Sequence, residues 1–191
     1  MTATIRWSGG ALVLGAVLLG VAITGASAAR TQPAGSGLPA PPWASWLLAV
    51  GAILVLLALP QVHAAQARAS AGLSLAAFAL LQAGWVLAVV VTTAPLLYRG
   101  LPGEPGESVL AFVLGTMLAV GFVLTGIVIV RAGVFAPWIG YVILAAAAGF
   151  FFLFFVAEFL PAIASRVAGV GFGLLAGIGL ASIGVSMWTR A

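Results

Sequence analysis

The chain has 191 residues, of which 64% are hydrophobic and 5% charged, whereas a soluble domain carries about 25% charged residues. Seven arginines and three glutamates cannot cover the exterior of a soluble protein of this size, so the composition excludes a water-soluble globular domain and makes lipid the solvent of most of the surface. The net charge of +4 does not indicate a nucleic-acid partner, because the arginines lie singly along the chain and form no basic patch.

Six apolar segments are predicted to be transmembrane helices, because each approaches or exceeds the roughly 20 residues that cross a bilayer core. They are continuous and rich in Leu and Ala, unlike the alternating pattern of a membrane β-strand. The segments cover residues 8–28, 43–62, 71–97, 109–130, 137–157 and 167–188. We therefore predict an all-α, polytopic transmembrane helix bundle that forms a single domain over residues 1–191.

The N-terminal segment has two interpretations. An apolar run followed by Ala26, Ser27 and Ala28 resembles a secretory signal with a cleavage site of small residues. The run is nevertheless longer than the roughly 7–15 apolar residues of a signal peptide. We therefore expect residues 1–28 to be retained as the first span.

Arginines predict the orientation of the bundle. With six spans, four of them lie on the side of the termini and three on the opposite side. Because cytoplasmic loops carry the excess of arginine and lysine, both termini are predicted to be cytoplasmic and the protein is expected in the cytoplasmic membrane. The four are Arg6, Arg68, Arg131 and Arg190, and the three are Arg30, Arg99 and Arg166.

Alanines in the segment 60–70 predict that the second helix continues past Pro60 into the headgroup region. His63, the only histidine of the chain, is expected to lie exposed on this extension and to need no special role there. The alternative is a titrating switch. A metal site needs several histidine or carboxylate ligands, and none is near in sequence, so no metal and no cofactor is predicted.

Two stretches half a chain apart share the pattern Pro-Trp, any residue, a small residue, an aromatic and an aliphatic residue. They begin at Pro42 and Pro137, and each opens a predicted span. Two inverted three-helix repeats, over residues 1–96 and 97–191, would explain the pattern, as in many secondary transporters. The alternative is that Trp and Tyr collect at membrane interfaces and Pro at helix starts in any case.

The polar side chains of the third span fall within about a third of the helix circumference at 100° per residue; they are Ser74, Gln82, Trp85, Thr92 and Thr93. Gln82 lies near the middle of this span, and Thr92 and Thr93 lie nearer its end. An unpaired amide is costly in lipid, so Gln82 is expected to face the bundle. It serves there either as an interhelical hydrogen bond or as the lining of a narrow polar cavity.

Glu158 follows a run of phenylalanines near the end of the fifth span. On an α-helix, Phe151, Phe154 and Phe155 lie one or two turns below it on its own face. Apolar neighbours favour the neutral acid, as a proton carrier requires. The alternative is an interfacial anchor that reaches water or pairs with an arginine.

Small residues recur every four positions in the sixth span and form one stripe along a helix face. They are Gly169, Gly173, Gly177 and Ala181, and the first span has a poorer version of the stripe in Ala16, Gly20, Thr24 and Ala28. Such stripes let a second backbone approach closely. They predict packing within the bundle or, alternatively, a homo-oligomer or a partner membrane protein held through the sixth helix.

Several local patterns resemble a group of small six-helix membrane proteins of unknown function from high-GC bacteria. The patterns are VFAPWIGYV at 134–142, LPQVHAAQAR at 59–68, and a closing Gly-rich helix with Trp188 and Arg190. The resemblance implies the six-helix architecture and no specific activity. The chain also has no hydrolase, metalloprotease or nucleotide-binding motif, so no enzyme activity is predicted. We expect a structural or accessory membrane component, or alternatively a small transporter or channel subunit with a site around Gln82 and Glu158.

Overall fold

The structure, a computed structural model, describes residues 2–29, 41–97, 106–156 and 161–190. Within these ranges all regular structure is helical, which confirms the predicted fold class. The helices are α1 (Thr2–Ala29), α2 (Pro42–Leu97), α3 (Gly106–Ala132), α4 (Pro137–Phe151) with a π-helical continuation (Phe152–Val156), and α5 (Ala162–Arg190).

α2 contains two of the predicted spans. The backbone of Ser70 is not helical (φ −158°, ψ 65°) and divides α2 into a first arm (Pro42–Ala67) and a second arm (Ala69–Thr93). His63 and Ser74 would lie about 16 Å apart along a straight helix, but their side chains are 2.8 Å apart. The two arms therefore fold back against each other, and the first arm continues past Pro60 as predicted.

Among the described residues, five helical segments are long and apolar enough to cross a membrane: α1, both arms of α2, α3 and α5. The fifth predicted span, 137–157, differs in its construction. Its α-helical part, α4, has only 15 residues, and the helical path continues through the π-helical segment to Val156. Because a π turn bonds residue i to i+5, the face of the chain beyond Phe151 no longer follows α-helical spacing.

The helices contact one another in a closed cycle from α1 through α5 and back to α1, and the contact between α1 and α5 is the most extensive. Glycines lie at each of the five interfaces and let the helices approach closely. They are Gly15 and Gly51 (α1–α2), Gly84 and Gly121 (α2–α3), Gly126 and Gly140 (α3–α4), Gly149 and Gly179 (α4–α5), and Gly9, Gly20, Gly173 and Gly184 (α1–α5).

The α1–α5 interface is antiparallel. A Cβ added at Gly9 would stand 2.7 Å from the carbonyl oxygen of Gly184, and one added at Gly20 would stand 3.3 Å from that of Gly173. The start of α1 thus lies beside the end of α5. Arg190 also donates a hydrogen bond to the carbonyl of Val134 in the α3–α4 turn, so this end of the bundle, called the terminal end below, carries that turn as well.

Large apolar side chains cover the exterior, and tryptophans mark its two ends. Trp7 and Trp188 are exposed at the terminal end, whereas Trp43 is exposed at the opposite end and its ring lies against Gly25. From Trp7 to Gly25 the helix rises about 27 Å, which matches the roughly 30 Å hydrocarbon core of a bilayer. The two tryptophan levels are therefore spaced as the aromatic belts of a membrane protein are.

Candidate functional site at the turn of α2

The small-residue stripe of α5 lies inside the bundle. A Cβ at Gly173 would meet the backbone nitrogen of Thr24 at 3.0 Å, and one at Gly177 would meet the carbonyl oxygen of Ala16 at 3.3 Å. Gly169 is buried, and Ala181 is partly buried against the core. The two stripes found separately in the sequence, on α1 and α5, thus pack against each other within one chain.

Gln82 is partly buried near the middle of the second arm, and its Oε1 has no hydrogen-bond partner. Trp85, one turn further along the same arm, is 4% exposed, and its Nε1 also lacks a partner. One unpaired acceptor and one unpaired donor therefore lie on neighbouring positions of one helix face. No interhelical hydrogen bond of Gln82 Oε1 is present within the described residues.

Thr92 and Thr93 satisfy their hydroxyls on their own helix. Thr92 Oγ1 donates to the carbonyl of Ala88 at 2.7 Å, and Thr93 Oγ1 donates to that of Val89 at 2.7 Å. Such back-bonding within a helix leaves the hydroxyl protons committed. The structure therefore does not join these threonines to Gln82 in one polar site.

Glu158 lies outside the described residues. The segment leading to it is π-helical, so the expectation that Phe151 and Phe155 share its face no longer follows from α-helical spacing. These two rings contact each other with their centres 4.9 Å apart, and Phe155 also meets Phe112 of α3 edge to face at 5.5 Å. Phe151 and Phe155 therefore pack against each other and against α3.

His63 is not the exposed side chain that the sequence predicts. It is partly buried, its Nδ1 hydrogen-bonds with Ser74 Oγ at 2.8 Å, and its ring stacks on that of Phe78 at 5.1 Å. Both partners belong to the second arm, whereas His63 belongs to the first. The reason for the difference is the reversal at Ser70, which brings the second arm over a residue that a lone helix would leave at the interface.

Buried polar side chains surround His63. Gln66 is 3% exposed, Ser74 is 1% exposed, and Thr125 of α3 is 5% exposed. The amide nitrogen Nε2 of Gln66 is buried without a hydrogen-bond partner, as is the hydroxyl of Ser70 at the turn. Three helical segments thus bring a polar cluster together where the surrounding sequence is almost wholly apolar.

A small cavity of ≈ 20 Å³ lies within this cluster. Four polar side chains line it, and the rest of its wall is apolar. The lining consists of Leu59, Val62, His63, Gln66, Ser74, Ala77, Phe78, Leu81 and Thr125. We call this space the turn cavity.

Sequence reasoning missed the turn cavity, although a signal for it exists. His63 and Gln66 are three residues apart, so they share one face of the first arm, and Ser74 belongs to the polar face predicted for the third span. What the sequence does not contain is the register in which the two arms meet.

Chemically, the cluster offers hydroxyl, amide and imidazole groups. No group of three His, Cys, Asp or Glu side chains that could hold a metal is found among the described residues.

The centre of the bundle has the opposite character, because a chain of aromatic rings fills it. Trp85 meets Phe122 edge to face at 6.2 Å, Phe122 meets Phe172 in the same manner at 6.3 Å, and Phe172 contacts Phe150 at 4.8 Å. The rings come from α2, α3, α5 and α4 in turn. We call them the aromatic column.

The chain matches no known family model, and no curated protein and no solved structure is detectably similar to it.

Proposed function

We propose that the chain is a non-enzymatic, multi-pass component of the cytoplasmic membrane with a structural or accessory role and with both termini in the cytoplasm. The observation that carries the proposal is the aromatic column. Phe122 is fully buried and Phe172 is 3% exposed, and their ring contacts join four helices. A carrier needs a hydrated site between its helices, whereas rings in contact favour a bundle with a fixed, dry centre.

An accessory component acts through contacts with other proteins, and α5 is the helix that we propose for them. Its glycine stripe is covered by α1, so the available face is the outer one. Leu174, Ile178 and Val185 on this face are about half exposed, at 52%, 51% and 51%. Their intervals of four and seven residues place them on one side of the helix.

A photo-crosslinking amino acid at position 178 tests the accessory role in native membranes. We expect one discrete crosslinked species, either with a second copy of this chain or with one partner protein. Val17 on α1 is the matched control, because it is equally apolar and 50% exposed. Smeared adducts with lipid at both positions, or the same species from both, would contradict the role proposed for α5.

A small carrier is the second candidate, and the unpaired Oε1 of Gln82 and Nε1 of Trp85 favour it. Each buried polar atom without a partner costs about 1–3 kcal/mol, and such atoms in a native protein call for an explanation. A transported proton or small polar solute would provide one. Glu158 belongs to the same hypothesis through its sequence alone.

Flux measurements on proteoliposomes separate the two candidates. For a structural component we expect proton and ion fluxes equal to those of empty liposomes in the wild type and in Gln82→Leu. A flux that the wild type adds and Gln82→Leu abolishes would establish the carrier instead. Gln61→Leu is the control, because Gln61 lies near the terminal end of the first arm, away from the centre.

A further inference from the structure

We infer that the turn cavity is a binding site for a single water molecule, held by the Gln66 amide beside His63. The site lies between α3 and the two arms of α2, at the terminal end of the bundle. It is separate from the aromatic column and from α5, so the inference does not rest on the proposed function.

The size of the turn cavity fits one water molecule. A cavity holds a water when its volume reaches about 10–15 Å³, and the turn cavity has ≈ 20 Å³. This volume is too small for an organic solute. The occupant is therefore of the size of water.

The polar groups of the wall also match this occupant. A buried water forms two to four hydrogen bonds with polar groups that otherwise lack partners. Gln66 Nε2 is such a group, because it is a donor in a side chain only 3% exposed and has no partner. A water that accepts its hydrogen can donate its own to the hydroxyl oxygens of Ser74 and Thr125, which line the same space.

Charge selects water over an ion of similar size. The lining contains no carboxylate to neutralise a cation, and His63 is its only titratable side chain. An uncompensated ion in this apolar surrounding would carry a large desolvation penalty. Water satisfies the amide without that penalty.

Solid-state NMR on the full chain in lipid bilayers tests the inference by magnetisation transfer from water to side-chain protons. The amide protons of Gln66 are expected to receive rapid transfer, whereas the indole proton of Trp85 is expected to receive none. Trp85 is a strict internal control, because its Nε1 is an equally buried donor without a partner but packs against the ring of Phe122. No transfer to Gln66, or equal transfer to both, would overturn the inference.

A pair of variants distinguishes bound water from nearby bulk water. Ala77 lines the turn cavity and is 4% exposed, whereas Ala88, also 4% exposed, lies on the same arm outside the lining. Ala77→Val fills the space, so transfer to Gln66 should be lost, and Ala88→Val should leave it unchanged. Transfer that persists in Ala77→Val would come from bulk water and would overturn the inference.

If Ala77→Val fails to fold, a crystal structure of the wild type shows whether the turn cavity holds a water molecule. Density for one ordered water within hydrogen-bond distance of Gln66 Nε2 is the expected result. A clearly empty cavity, or a Gln66 amide bonded directly to the protein, would contradict the inference.

Discussion

The α1–α5 interface and the turn of α2 hold neighbouring helical segments together with opposite kinds of residue. At the first, Gly9 and Gly20 face Gly184 and Gly173 so closely that added Cβ atoms would come within 3.3 Å of a facing carbonyl oxygen. At the second, the imidazole of His63 crosses to Ser74 and Phe78 with a hydrogen bond and a stacked ring. One contact depends on the absence of side chains and the other on their chemistry.

The difference shows where this protein gives up stability. Backbone approach through small residues gains dispersion contacts that lipid cannot match, and it leaves few polar atoms to be desolvated. The turn of α2 instead keeps the buried Gln66 Nε2 and Ser70 Oγ without partners in the protein. An apolar sequence would avoid that penalty, so the polar turn is the region in which a role beyond packing is to be sought.

Gly184→Val is expected to give the largest effect and tests whether the α1–α5 interface depends on the absence of side chains. The added Cβ would stand 2.7 Å from the carbonyl oxygen of Gly9 and 3.0 Å from the backbone nitrogen of Val13. Because backbone atoms cannot rotate away, α1 and α5 must separate, at a cost of about 3 kcal/mol in the free energy of unfolding. Unfolding in mixed micelles with increasing denaturing detergent measures this free energy.

Gly171→Val is the matched control on the same helix. No atom lies within 4 Å of a Cβ added at Gly171, so only the small difference in helix propensity remains and the free energy of unfolding should stay nearly unchanged. Equal losses in the two variants would mean that helix propensity, and not the close contact with α1, decides the result.

His63→Ala tests the side-chain contacts at the turn of α2 and is expected to lower the free energy of unfolding by about 2 kcal/mol. Roughly half of this loss comes from the hydrogen bond to Ser74 and half from the ring contact with Phe78. A double-mutant cycle of His63→Ala with Ser74→Ala isolates the hydrogen bond. Its coupling energy should lie near 1 kcal/mol, within the range measured for polar contacts between membrane helices.

His63→Phe separates the two contributions, because phenylalanine keeps an aromatic ring for Phe78 but cannot bond to Ser74. His63→Phe should recover part of the lost free energy of unfolding when Ser74 is present. It should recover a larger part when Ser74 is replaced by alanine. If His63→Ala costs nothing, the polar turn contributes no stability and the contrast with the α1–α5 interface disappears.

The sequence predicts those parts of the fold that depend on local composition. The approximate limits of the five long apolar helical segments, the continuation of the first arm past Pro60, and the small residues of α1 and α5 all follow from hydropathy and helical spacing. The sequence does not reveal that Gly173 meets Thr24, because a stripe on one helix is compatible with any partner helix. Only the packed bundle decides between contact within the chain and contact with a second protein.

The turn cavity could not be predicted for a related reason. His63 and Ser74 are eleven positions apart, and their contact depends on the angle at which the chain reverses at Ser70. Thr125 is still further away in sequence and reaches the cavity only through the register of α3 against α2. Similarly, α-helical spacing cannot anticipate the π-helical segment before Glu158, because it assumes one turn geometry throughout.

Thr24→Val is expected to give the smallest effect and tests whether the α1–α5 interface gains anything from a polar group. Thr24 Oγ1 is a buried polar atom without a hydrogen-bond partner at the α1–α5 interface, beside Gly173. Valine keeps the branched shape and removes the hydroxyl, so the free energy of unfolding should rise by about 1 kcal/mol. Thr24→Ser keeps the hydroxyl and loses a methyl group, so its free energy of unfolding should not rise. If valine instead lowers the free energy of unfolding more than serine does, the hydroxyl makes a favourable contact, and the α1–α5 interface shares the polar character of the turn of α2.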